Sequence, residues 1–136
     1  KVLSPLVTEG EADAILSFEL MEAARALPFL REGGRIVVNS QKIEPVTVKI
    51  GAAEYPEDID ALLRSRGRVL EFDARAVAAE CDAPKSVNIA LLGAFAAGES
   101  FTQEAWLAAV EACVPPKTIE ANRRAFLAGW QLGEKA

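Results

Sequence analysis

The chain has 136 residues, 51% hydrophobic and 26% charged, which suits one folded domain with a sizeable core and excludes a disordered chain. Fifteen Lys and Arg stand against twenty Asp and Glu, and the net charge of -5 argues against a nucleic-acid partner, because phosphate binding needs a concentrated basic surface. No apolar run approaches the roughly 18 residues of a membrane span and no charged leader precedes an apolar stretch, so a cytoplasmic chain away from any membrane is expected.

Taken in order, Lys1 to Val7 is strand-like but broken by Pro5, which points to an edge strand. The abrupt start implies an upstream segment in the whole protein. Gly10 supplies the turn before the central stretch, Ala12 to Ser40. There, Ala14, Ile15 and Leu16 form one apolar run and Ile36, Val37 and Val38 a second, with Leu20, Ala23, Ala24 and Leu27 at helical spacing between them. The spacing predicts strand, helix and strand, with the helix from about Phe18 to Leu27, limited by Pro28 and stopped at Gly33 or Gly34. Neither apolar run alternates with polar residues, as expected of parallel strands buried on both faces. Parallel sheets take ligands beyond the carboxyl ends of their strands. Here those ends carry Ser17 and Glu19, then Asn39, Ser40, Gln41 and Lys42.

From Gln41 to Gly51, Val46, Val48 and Ile50 alternate with Thr47 and Lys49, which suggests a half-exposed edge strand near the margin of the sheet, beginning at Pro45. Pro56 to Asp58 open a helix with Ile59, Leu62 and Leu63 inward and Gly67 at its exit. Arg64, Arg66 and Arg68 are read either as an anion site or as cations favoured by the helix end. Val69 to Asp73 is the next strand, and Asp73 is either the cap of a helix from Ala74 to Cys81 or a ligand contact. Asp82 and Pro84 close that helix.

Lys85 to Ala97 reads as a helix that is apolar nearly all round and so almost wholly buried. Asn88 within it reads as a buried amide. It either ties down neighbouring backbone or, with Lys85, Ser86 and the free backbone donors of the helix start, lines a site or meets a partner. Thr102 caps the next helix, with Trp106, Ala109, Val110 and Cys113 inward, and Pro115 and Pro116 end it. A last helix begins near Lys117 or Thr118 and puts Ile119, Phe126 and Trp130 on one face. Asn122, Arg123 and Arg124 lie largely opposite, as a solvated face or an interface.

The sequence contains no histidine, so the usual general base and most zinc sites are unavailable. Cys81 and Cys113 sit among helical apolar residues and read as reduced core thiols. Two cysteines cannot hold an iron-sulfur cluster, and no phosphate-binding glycine loop occurs. The residues alone therefore give a soluble three-layer α/β domain and no reaction.

The order of EGEADAILSFELMEAARALPFLREGGRIVVNS, KIEPVTVKIG, KSVNIALLGAFAA, FTQEAWLAAV and VPPKTIEANRRAFLAG resembles the gamma-type domain of 2-oxoacid:ferredoxin oxidoreductases, in particular the branch acting on indolepyruvate. The similarity runs colinearly along essentially the whole chain. An upstream glycine-rich strand-to-helix turn and a loop with histidine, both typical of the family, are missing from these 136 residues.

The resemblance implies a three-layer α/β/α fold with a mostly parallel central sheet, as one N-terminally truncated gamma-type domain over residues 1–136. It implies a hetero-oligomer whose larger alpha subunit holds thiamine diphosphate, magnesium and iron-sulfur clusters and passes electrons to ferredoxin, with coenzyme A as co-substrate and none of these cofactors bound by this chain alone. The reaction would convert arylpyruvates to arylacyl-CoA and carbon dioxide. Asn39, Gln41, Lys42, Lys85, Ser86 and Asn88 are then the candidates for a wall facing substrate or coenzyme A, or for an interface. None is marked as catalytic. A noncatalytic interaction or small-ligand-binding α/β domain is the alternative.

Overall fold

A computed structural model of the chain describes residues 6–52 and 54–136. The expected strand at Lys1 to Val7 lies largely outside them. The chain divides into two compact units, Lys1–Glu71 and Phe72–Ala136.

The first unit is α/β. Strand β1 (Ala12–Ser17) leads into helix α1 (Leu20–Ala26) and a 3-10 turn, Leu27–Phe29, from which β2 (Leu30–Asn39) starts directly. A short helix α2 (Val46–Lys49), helix α3 (Ile59–Arg66) and β3 (Arg68–Phe72) follow. The sheet order is β1-β2-β3, and β1 and β2 run parallel, as the crossover helix required, but β1 is not buried on both faces as expected: Ile15 and Ser17 are buried while Leu16 is 38% exposed. Ile15, Leu20, Ala23, Leu27, Ile36, Val38, Ile59 and Leu63 form one buried cluster, so α1 and α3 anchor on the sheet.

Three further sequence expectations fail in this unit for identifiable reasons. Gly33 and Gly34 do not stop the helix; the Pro28 turn does, and both glycines lie inside β2. Between the pairs Ala12↔Leu30 and Ala14↔Arg35 the register slips, and Gly33 takes φ +67°. They therefore form a bulge, where a residue without Cβ is favoured. Gln41 to Gly51 is no strand: among the described residues it finds no ladder partner, and Val46–Lys49 form α2, leaving Val46 73% and Ile50 71% exposed. In α3, Leu62 faces solvent while Ile59 and Leu63 are buried. Gly67 leaves that helix with extended backbone, and a Cβ there would lie 2.5 Å from the Gly34 carbonyl oxygen.

The second unit contains helices α4 (Ala74–Glu80), α5 (Val87–Ala96), α6 (Gln103–Cys113) and α7 (Ile119–Gly133), with a 3-10 turn at Pro116–Thr118. The Asp73 carboxylate accepts from the Arg75 and Ala76 N–H groups at 2.9 Å, so the capping reading holds. Thr102 Oγ1 likewise accepts from Ala105 N–H at 3.3 Å. Helix α4 ends with Ala83 N–H bonded to the Ala78 carbonyl and Asp82 N–H to that of Ala79, a Schellman-type close that puts Asp82 at φ 51°.

Helix α5 is apolar on all sides, and Ile89, Ala90, Leu91, Gly93, Ala94 and Ala96 are buried, as its composition requires. It packs on α7 backbone to backbone: a Cβ on Gly129 would sit 1.9 Å from the Ala90 carbonyl oxygen, and one on Gly93 2.1 Å from that of Phe126. In α6, Leu107 and Val110 are buried rather than Ala109 and Cys113, which are exposed. Both cysteines are free thiols, Cys81 half-buried, so neither is the buried core thiol expected.

Candidate functional site

The predicted site residues fall into two groups, one in each unit. At the carboxyl ends of β1 and β2, the chain turns sharply from strand into α1 and leaves backbone groups that need partners. Glu19, 7% exposed, supplies them: its carboxylate accepts from Glu22 N–H at 2.8 Å and Met21 N–H at 3.1 Å. Ser17 Oγ donates to the Glu19 carbonyl at 2.8 Å. Asn39, 1% exposed, donates through Nδ2 to the Phe18 carbonyl at 3.0 Å and, at 3.4 Å, to Gln41 Oε1. The Gln41 carbonyl accepts from Leu20 N–H at 3.3 Å. Asn39 and Gln41 are thus brought together with Ser17 and Glu19, and their polar groups brace the β1–α1 turn.

Lys42 is exposed. It is one of the charges around Glu71, whose carboxyl is pushed up by burial and then by Asp60, with Arg64 and Lys42 acting in the opposite direction. Arg64 Nε bonds both Asp60 carboxylate oxygens, at 2.9 and 3.0 Å, and the bond to Arg64 holds Asp60 below the ordinary carboxylate range. Arg64 is therefore engaged within its own helix. Sequence reasoning did not single out Tyr55, whose buried hydroxyl has no hydrogen-bond partner among the described residues and whose pKa is raised by burial and by the Glu19 charge.

Lys85, Ser86 and Asn88 come together at the start of α5, on the wall of a cavity of about 420 Å³. The segment is held by the α4 close on one side and by Ser86 N–H bonded to the Ala83 carbonyl at 2.8 Å on the other. Asn88 is exposed, contrary to the buried-amide expectation. Being the second residue of α5, it falls on the open side, while Ile89 and Ala90 turn inward. The buried amide of this unit is Asn122, 7% exposed, which lines the same cavity. Its Nδ2 donates to the Thr118 carbonyl at 2.9 Å. Asn122 therefore does not share a solvated face with Arg123 and Arg124. Arg123 pairs with Glu111, and Arg124 Nε donates to the Cys81 carbonyl at 2.9 Å. Ile89, Val114, Pro115 and Ala121 give the cavity its apolar walls. The sequence signal for Asn122 was available in the helical spacing: it lies four residues before the buried Phe126.

Among the described residues no three His, Cys, Asp or Glu side chains converge as metal ligands, and no helix is long and apolar enough to cross a membrane.

This fold is that of a gamma subunit of a ferredoxin-linked oxidoreductase: the keto/oxoacid ferredoxin oxidoreductase gamma subunit from Geobacter sulfurreducens superposes with a TM-score of 0.69 at 23% identity, over 96% of this chain and 69% of that one. Residues 1–132 match the model of the pyruvate ferredoxin/flavodoxin oxidoreductase family, and the chain belongs to that family. It is 37% identical over 141 residues to indolepyruvate oxidoreductase subunit IorB of Thermococcus kodakarensis, covering 99% of this chain and 68% of the relative. To the subunit of the same name from Methanothermobacter thermautotrophicus it is 33% identical, over 96% of this chain and 69% of the relative.

Proposed function

We propose that this chain is the non-cluster subunit of a cytoplasmic indolepyruvate, or aryl 2-oxoacid, ferredoxin oxidoreductase. The observation that carries the reading is 37% identity to a subunit IorB across 99% of the chain. Magnesium, thiamine diphosphate and iron-sulfur clusters would be held by a partner alpha subunit, the two cysteines of this chain being too few for a cluster. Thiamine supplies carbanion stabilisation there, and the clusters carry electrons to ferredoxin. This chain contributes packing and a ligand-facing wall in CoA-dependent oxidative decarboxylation of arylpyruvates. Within that wall, Lys85, Ser86 and Asn88 face coenzyme A or substrate, whereas Asn39 and Gln41 hold the β1–α1 turn and Lys42 lies at the surface.

The test is reconstitution. The subunit and its cluster-bearing partner are mixed, and ferredoxin reduction dependent on arylpyruvate, CoA and thiamine is measured, with each component alone as control. Turnover only in the mixture is expected. A fully assembled, cluster-loaded complex that is inactive on several arylpyruvates would overturn the reading.

A further inference from the structure

We propose that the solvent face of α6, with Phe101 and Trp106 at its head, is where a helix of the cluster-bearing partner docks, one that turns small residues toward the alanines of α6 and a Lys or Arg toward Glu104. This deepens the subunit reading by naming the surface and the chemistry of its partner, and it rests on that reading.

Helix α6 buries Leu107 and Val110. On its opposite side Ala105, Ala108, Ala109 and Ala112 are all exposed, and their helical spacing makes them one continuous stripe. A helix face that stays in water is ordinarily charged, as α3 is at Asp60 and Arg64. Alanines instead let a second helix approach closely and lose no side-chain entropy when covered. The head of the stripe adds aromatic surface. Phe101 is 66% exposed and meets the Trp106 ring edge-on, with centroids 6.1 Å apart. The two rings, Ala105 and Ala109 line a cavity of about 230 Å³. Trp106 Nε1 is buried without a hydrogen-bond acceptor among the described residues, although a buried indole N–H ordinarily has one. Exposed aromatic residues beside an unmatched donor are characteristic of the well-packed centre of an interface.

Charge decides the occupant. By helical spacing Glu104 and Glu111 run along one edge of the stripe, Trp106 and Cys113 along the other, and α6 carries no basic residue. Glu111 is paired with Arg123 of α7, which leaves the exposed Glu104 as the acid open to a partner. A second copy of this chain does not supply its cation. In an antiparallel pair about a twofold axis each edge meets itself, so Glu104 would face the Glu111 edge of the other copy, whose Arg123 is already engaged. In a parallel pair the acids would face Trp106 and Cys113. A foreign helix with a Lys or Arg on the facing edge matches Glu104 and leaves the alanine stripe in contact.

The test measures association of the subunit with its cluster-bearing partner by sedimentation in rising NaCl, with no turnover involved. The parent is expected to bind, more weakly as salt rises. Ala109→Lys should weaken binding at least about a hundredfold, because it stands a long cation in the middle of the stripe, and Phe101→Ala about tenfold. Glu104→Gln should weaken it a few-fold and flatten its dependence on salt. Gln131→Lys, on the exposed side of α7, adds the same charge elsewhere and should bind as the parent does. The altered residues are all exposed, so each variant should fold as the parent does, which thermal unfolding of the isolated subunit checks. Equal binding by a folded Ala109→Lys variant, an equal loss in Gln131→Lys, or a dimer of the subunit alone that Ala109→Lys dissolves would each overturn the proposal and leave the subunit reading standing. Absence of any complex with the parent would overturn both.

Discussion

Gly129→Ala tests the packing that the second unit depends on. An alanine Cβ at this position would lie 1.9 Å from the Ala90 carbonyl oxygen, 2.8 Å from its carbon and 3.1 Å from Ala94 N. Ordinary contact begins at about 3.4 Å, so α5 and α7 must separate by more than about 1 Å, and no rotamer change can help because Cβ is fixed to the backbone. Gly93 and Gly133 rest on the facing helix in the same way, and a gap of that size forfeits roughly a quarter to a half of each dispersion contact along the crossing. Overpacking costs about 1 to 3 kcal/mol where side chains can yield. Here the obstruction is backbone, so the cost belongs at the top of that range or just above. Alanine returns roughly 1 kcal/mol in helix propensity, leaving a net loss of about 2 to 3 kcal/mol. At about 4 °C per kcal/mol for a chain of this size, Tm should fall by about 10 °C. The assay is tryptophan fluorescence during thermal and urea unfolding, since both tryptophans, Trp106 and Trp130, lie in this unit. Gln131→Ala, on the exposed side of α7, should change stability by less than about 0.5 kcal/mol. The reasoning is refuted if Gly129→Ala matches the parent, or if adding Ala90→Gly restores stability, because the obstructing atom is a carbonyl oxygen that glycine also carries.

Three other outcomes follow from the same accounting. Asn39→Ala should cost about 2 to 3 kcal/mol in urea unfolding, because it hollows a site only 1% exposed and strips the Phe18 carbonyl of its donor; a loss below about 0.5 kcal/mol would show that the turn does not need it. Asp82→Gly should stabilise by about 0.5 kcal/mol in a thermal melt, since relief of the left-handed backbone at φ 51° outweighs glycine's added freedom when unfolded; a lower Tm would contradict this. Glu71 has its pKa raised by burial and by Asp60, so the folded state binds its proton more tightly. Its contribution is full below the unfolded carboxylate pKa and is lost as pH rises through the folded one. Glu71→Gln should therefore gain on the parent as pH climbs from the acid side to neutrality. Stability profiles that stay parallel across that range would refute the assignment.

The strand-helix-strand centre was legible because its signal is one of period and composition: Ile15 and Ile36 to Val38 are apolar without alternation, and they pair as parallel neighbours. The caps Asp73 and Thr102 were legible because a side-chain acceptor at a helix start acts over three residues. The glycine pair 33–34 misled because a bulge and a helix stop ask the same thing of the backbone, and only the register of β1 against β2 tells them apart. Val46 to Ile50 misled because alternation describes a strand only where a neighbouring strand is present to bond it. Asn88 and Asn122 exchanged roles for a related reason. An almost uniformly apolar α5 gives no phase from which to read its open side, and the inward turn of Asn122 depends on its bond to the Thr118 carbonyl.

Partner accounting separates the two groups of candidate residues more sharply than burial does. Ser17, Glu19 and Asn39 are as buried as Ser86, yet each of them bonds backbone of the β1–α1 turn. Their polarity is explained by the fold, because a strand that turns at once into a helix leaves several N–H and C=O groups unmatched. Ser86 occupies the same kind of position, one residue before a helix, and leaves the cap unmade. Its hydroxyl borders the cavity, where water satisfies it without a protein partner. The polar residues at the sheet end hold a turn, whereas the serine before α5 borders open space and bonds no backbone of its own helix.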